Sequence, residues 1–166
     1  MSKLRLLVAA TALAVFATTL QISAPQPVAA ASEAGSIINF AANQINKRFD
    51  MGAVGLRRYD CSGLVYRSFK EKGLLTRIGG HMTARGYYRW FKNRGRASKY
   101  NPRKGDLVTW AHRGKPVSHI GIFIGYNSKG QPMAISALIN PYGVSRHRVS
   151  GISVPLKAYL HVNLSR

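Results

Sequence analysis

The hydrophobic pattern of this chain changes period once, near residue 101, and that change limits what it can fold into more than any other feature. Before it, Ile37, Ile38, Ala41, Ala42 and Ile45 trace one face of a helix within 32–47. Leu64, Val65, Ser68 and Phe69 trace another within about 62–72, closed by Gly73, at the spacing of amphipathic helices. A third, shorter helix is expected over 82–93, where Tyr87, Tyr88 and Phe91 fall before Gly95. The stretch 48–59, with Gly52 and Gly55 and no period, reads as a loop. After residue 101, a turn at 102–106 leads into the apolar run Leu107-Val108-Thr109-Trp110, and 118–125 alternates with period two. Ile120, Ile122 and Ile124 share one face of that strand, and His119, Gly121 and Phe123 the other. Further strands are expected at 133–138 and 157–164. Helices first and antiparallel strands second predict an α+β domain. The chain of 166 residues, 46% hydrophobic, is long enough for one such domain with its own core.

Residues 1–31 stand apart from this pattern. Lys3 and Arg5 precede an apolar run from Leu6 to Leu20, and Val28-Ala29-Ala30-Ala31 supplies small residues for cleavage just before Ala31 or Ser32. That is the layout of a secretory signal peptide. The run is short for a bilayer span and is broken by Thr18, Thr19, Gln21, Pro25 and Pro27, so no stable membrane insertion is expected after cleavage. A secreted or cell-wall location follows, with 32–166 as a single mature domain.

Charge narrows the partners. The full chain carries 25 Lys and Arg against 5 Asp and Glu, and without Lys3 and Arg5 its net charge is still about +18. Small domains typically stay within roughly 2 to 8 charges, so a polyanionic partner is implied. For an exported protein, anionic cell-wall polymers come before nucleic acid, and no nucleic-acid partner is expected. The aromatics of 82–93 lack the strand alternation that would present them as a base-stacking platform.

Cys61 is the only cysteine. It cannot close an internal disulfide, and an unpaired thiol in an exported chain points to reactivity. Asp60 stands where the N-cap of the 62–72 helix belongs, so Cys61 opens the first turn, where unpaired N–H groups and the helix dipole favour thiolate and lower its pKa. That placement suits a nucleophile. Of five histidines, His119 alone has a defined strand position, beside Gly121 on the same face, which leaves room for another element to approach. His81, His112 and His147 fall in expected loops, and His161 in the last strand reads as a packing residue. A cysteine at a helix start against a sheet that bears a histidine is the arrangement of a thiol hydrolase. One cysteine and no paired histidine spacing argue against a metal site, and no cofactor is expected.

The order Asp60-Cys61-Ser62-Gly63-Leu64-Val65, then Pro102 to Val108, then His119-Ile120-Gly121-Ile122-Phe123-Ile124-Gly125 resembles the NlpC-type cell-wall cysteine peptidases, the NlpC and p-sixty family. The resemblance covers about 37–164. It implies a papain-like fold, N-terminal helices packed on an antiparallel sheet, and hydrolysis of peptide bonds in peptidoglycan stem peptides. It also implies Cys61 as nucleophile, His119 as base, and Asp60 and Ser62 as residues that shape the substrate pocket. The family's third catalytic position, often Ile-His-Ala, here reads Ile135-Ser136-Ala137, which makes Ser136 the expected orienting residue, with His147 and Gln131 the next candidates. Phe49-Asp50-Met51-Gly52 stands where many members have Tyr-x-x-Gly. The expected protein is therefore a secreted, monomeric cysteine endopeptidase of peptidoglycan. A related papain-like amidase or acyltransferase, and a cationic wall- or nucleic-acid-binding module with a vestigial site, are the alternatives.

The charge generates a prediction independent of catalysis. Binding of the mature protein to purified cell walls should weaken steeply as salt rises, because screening and counterion release act on exposed charges. Sedimentation with walls stripped of anionic polymers should retain much less protein. Equal retention on stripped and intact walls at low salt would show that the basic surface is not the anchor.

Overall fold

A computed structural model describes residues 32–166; the expected signal peptide lies outside the described residues. In chain order the elements are α1 (Glu33–Ala42), β1 (Arg48–Phe49), β2 (Arg58–Tyr59), α2 (Cys61–Lys70), a 3-10 turn (Leu75–Ile78), α3 (Ala84–Lys92), β3 (Ala97–Ser98), β4 (Leu107–Trp110), β5 (His119–Tyr126), β6 (Pro132–Leu138), β7 (Gly143–Arg148) and β8 (Leu156–Leu160). The α+β expectation holds. Strands β3 to β8 form a six-stranded sheet in the order β3-β8-β4-β5-β6-β7, every pair antiparallel. Helices α1 and α2 pack together, and α2 lies on β5 and β6.

Each helix starts at a residue that caps it. The Ser32 hydroxyl accepts from Gly35 N–H, the Asp60 carboxylate from Gly63 N–H, and the Thr83 hydroxyl from Gly86 N–H, which satisfies donors that a helix start leaves unpaired. Sequence periodicity overran some ends. Helix α1 stops at Ala42, capped by Asn43, and the chain turns at Asn46, whose φ is 72°. The stretch read as a loop contains β1 and β2, a two-residue parallel pair. The segment 143–148, expected to be loop, is edge strand β7, and His147 therefore sits on the sheet. β7 escaped the sequence because an edge strand keeps one side in solvent and here carries Ser145, Arg146, His147 and Arg148 in place of an apolar alternation.

The sheet buries both faces, which its period-two pattern makes possible. Leu107, Ile120, Ile122, Ile135, Ala137, Ala158 and Leu160 pack beneath the helices with Ile37, Leu64, Val65 and Phe69. On the other face Val108, Trp110, Phe123, Ala134, Val149 and Tyr159 form a second, smaller cluster. The fully buried Asp106 closes the end of the domain. It accepts from the backbone N–H groups of Arg103 and Val162, from His161 Nδ1 at 3.0 Å and from Arg166 at 2.9 Å. His161 is thus fastened to a carboxylate just beyond the end of β8.

Helix α2 approaches its neighbouring loop so closely that Gly63 is required. A Cβ there would overlap the Ala53 carbonyl oxygen and lie 3.0 Å from Val54 Cα, both backbone atoms that cannot step aside. Glycine-to-alanine inside a helix ordinarily stabilises by about 0.5–1 kcal/mol, whereas overpacking costs about 1–3 kcal/mol. The clash should win, so Gly63→Ala is expected to lower the midpoint of thermal unfolding. An unchanged or raised midpoint would show that the 53–54 loop yields.

Candidate active site

Asp60 builds the cysteine's surroundings. Its Oδ1 accepts from Gly63 N–H at 2.6 Å and from the Ser62 hydroxyl at 2.9 Å, and its Oδ2 accepts from Gly52 N–H at 2.9 Å. The carboxylate therefore joins the first turn of α2 to the preceding loop. Asp60 and Ser62 are brought together, and both are spent on one another and on the helix start. Cys61 keeps part of its surface open, and the backbone N–H groups of Ile120, Ser62 and Cys61 itself favour its thiolate. Ile120 follows His119 directly in β5.

His119 is the first residue of β5 and is partly buried. Its Nε2 is 2.9 Å from Ser136 Oγ on β6. The register explains the meeting. Ile122 pairs with Ile135, so Gly121 and Ser136 face each other across the two strands, with His119 next along the same face. Gly121 makes it possible, since a Cβ there would stand 2.8 Å from both Ser136 Cβ and Ile135 O. The buried Trp110 ring lies under the cluster, its centroid 5.1 Å from the His119 ring and 5.8 Å from that of His147. Its indole N–H donates to Val149 O at 2.9 Å, which locks the ring in place.

Ser136, itself fully buried, has a second partner: its Oγ is 2.8 Å from His147 Nε2. Gln131 lies elsewhere, in the β5–β6 turn, where its side chain accepts from the Asn127 amide. His81 stacks on Tyr66 of α2 with ring centroids 4.3 Å apart. Among the described residues no group of three His, Cys, Asp or Glu side chains is assembled that could hold a metal.

Burial decides the resting charge state. Desolvation pushes the Cys61 thiol up to about 11; the N–H of Ile120 pulls it down, and the Asp60 carboxylate adds to the rise. The helix start does favour thiolate, as its sequence position suggests, but burial outweighs it. Desolvation also holds His119 down at about 4, helped by repulsion from His147. Near pH 7 the site therefore pairs a neutral thiol with a neutral imidazole. With Nε2 engaged by Ser136, the ring nitrogen left to receive a proton is Nδ1. Chemically the site contains a thiol and an imidazole, and the imidazole ring is held by a hydroxyl.

Known proteins share both sequence and fold with this chain. The sequence model of the NlpC/P60 family matches residues 46–158. Over 105 residues the chain is 31% identical to the murein DD-endopeptidase MepS/murein LD-carboxypeptidase of Escherichia coli strain K12, covering 60% of this chain and 52% of that protein. The chain thus spans about half the length of the curated relatives it matches. Among solved structures, NlpC2 from Trichomonas vaginalis superimposes with a TM-score of 0.65 at 21% identity, over 84% of this chain and 49% of that one. The NlpC/p60 domain of the peptidoglycan hydrolase SagA does so with a TM-score of 0.59 at 18% identity, over 78% of this chain and 98% of that one. The matched region runs from the loop before α2 into the last strand and holds both Cys61 and His119, and the chain belongs to the NlpC/P60 family.

Proposed function

We propose that this protein is a secreted peptidoglycan hydrolase that cleaves peptide bonds in wall stem peptides through a cysteine thiol. The observation that carries the reading is the His119 Nε2 to Ser136 Oγ hydrogen bond of 2.9 Å, on the strand whose next backbone N–H favours the thiolate of Cys61. A histidine held through one nitrogen, with the other left to take a proton, meets a requirement of general-base catalysis. The family and the murein-cleaving relative support the substrate class, and a wall location accords with both.

In this mechanism His119 Nδ1 takes the proton of Cys61 as Sγ attacks the scissile carbonyl carbon. Charge develops on the carbonyl oxygen at the first turn of α2, where backbone N–H groups without helical partners can stabilise it. The imidazolium then gives its proton to the leaving amine as the C–N bond breaks, and water repeats the sequence to release the acyl group. Separating charge in a buried site costs less when imidazolium and thiolate form together than when either forms alone. The neutral resting pair is thus compatible with turnover. Asp60 and Ser62 shape the pocket rim through the bonds that hold the helix start. The basic surface recruits the polyanionic wall: no acidic residue occurs between Lys72 and Gly105, while α3 and its flanks carry Arg85, Arg89, Lys92, Arg94, Arg96 and Lys99.

Mass analysis of fragments released from purified peptidoglycan tests the reading and identifies the bond. Cys61→Ala and His119→Ala should each abolish release while leaving the fold intact, because the two act as a unit. Hydrolysis retained by Cys61→Ala would sink the thiol mechanism. Ser136→Ala should cost about 10-fold in rate, the scale of one hydrogen bond.

The pH profile gives a separate check. The base works only when neutral, so activity is lost as pH falls through its pKa. With His119 held at about 4, kcat/KM should stay level well below the ordinary imidazole value of about 6.5 and fall only near pH 4. An acidic limb near 6.5 would mean that His119 is solvated in the working enzyme.

A further inference from the structure

We propose that His147 is a positioning residue whose imidazole, acting through Ser136, selects the tautomer of His119. The carbonyl of Arg148 sets the direction of the whole chain of hydrogen bonds. His147 Nδ1 lies 2.9 Å from that oxygen, and a carbonyl can only accept, so Nδ1 carries the hydrogen. Burial lowers the basicity of His147, only partly opposed by its bond to Arg148, and the neutral ring then has a bare Nε2. Ser136 Oγ, 2.8 Å away, donates its one hydrogen there. Its oxygen is left as an acceptor towards His119 Nε2 at 2.9 Å, so that nitrogen must be the protonated one. His119 Nδ1 is consequently bare, as a base for Cys61 requires.

A serine alone cannot do this. Its hydroxyl can rotate, donating to His119 Nε2 as readily as accepting from it, and the first choice would move the hydrogen of His119 onto Nδ1 and disable the base. His147 removes the choice by occupying the donor. It also polarises the hydroxyl, because consecutive hydrogen bonds strengthen one another, and so makes Ser136 a better acceptor when His119 becomes imidazolium. Trp110, packed against both imidazoles, and Gly121, whose bare Cα admits Ser136, hold the three side chains in line.

The kinetic consequences rest on the thiol-hydrolase reading; the tautomers are properties of the resting protein and stand without it. Nitrogen-15 NMR of the labelled protein at neutral pH should show His119 protonated at Nε2 and bare at Nδ1, and His147 the reverse. His147→Leu, which removes the acceptor, should turn His119 into a tautomer mixture and lower kcat about 10-fold with KM unchanged. His147→Gln, which returns an acceptor near the position of Nε2, should recover most of that loss. In a Ser136→Ala background His147→Leu should cost nothing further, because the effect passes through the hydroxyl. A wild-type His147 protonated at Nε2, or losses from Ser136→Ala and His147→Leu that multiply, would overturn the proposal. If the wild type releases nothing from peptidoglycan, the hydrolase reading fails, and the wild-type tautomers still decide the role of His147. They also decide it if His147→Leu does not fold.

Discussion

The Asp60 carboxylate holds the molecule's working end together. A helix start leaves several N–H donors unpaired, and here one carboxylate takes the Gly63 N–H, the Ser62 hydroxyl and the Gly52 N–H at once. An N-cap is worth about 1 kcal/mol, and hydrogen bonds to a charged acceptor are about twice as strong as neutral ones. The larger consequence is geometric. The same group that begins α2 ties it to the loop beneath, and the close approach of Gly63 to Ala53 leaves the helix no room to slide. Cys61, the next residue in the chain, inherits that position.

The sheet divides the remaining work between its faces. One carries the main apolar contacts with the helices, and the other carries the second cluster around Trp110 together with His119, Ser136 and His147. Alternation along β5 makes this division automatic, since Ile120 and Ile122 turn inward beneath the helices while Phe123 turns to the other side. A slip of one residue would exchange the two sets and lose both core and site. The apolar requirement of the first face therefore protects the polar register of the second.

Electrostatically the molecule works at two extremes. Its surface carries a large excess of positive charge, whereas the site is arranged to stay neutral at rest, with a thiol held up at about 11 and an imidazole held down at about 4. Burial produces both shifts, because low dielectric penalises thiolate and imidazolium alike. The His119 ring is bonded to the Ser136 hydroxyl, which also reaches His147. The one fully buried carboxylate, Asp106, is instead consumed by Arg166, His161 and two backbone N–H groups at the far end of the sheet.

The chain's local chemistry determined a good deal. The change of period set the α+β class, Asp60 before Cys61 marked the start of α2, and alternation around His119 set which side chains share its face. Such features follow from nearest-neighbour geometry, which repeats at 3.6 or 2.0 residues and can be read in one dimension. Tertiary structure decided what depends on contact between distant segments. The pairing of β5 with β6 brings Ser136 to His119, and the pairing of β6 with a polar edge strand, invisible as a period, brings in His147. The resting state of Cys61 was beyond local reading as well: its place at a helix start argues for thiolate, but desolvation by the packed sheet is larger, and burial is a property of the folded whole.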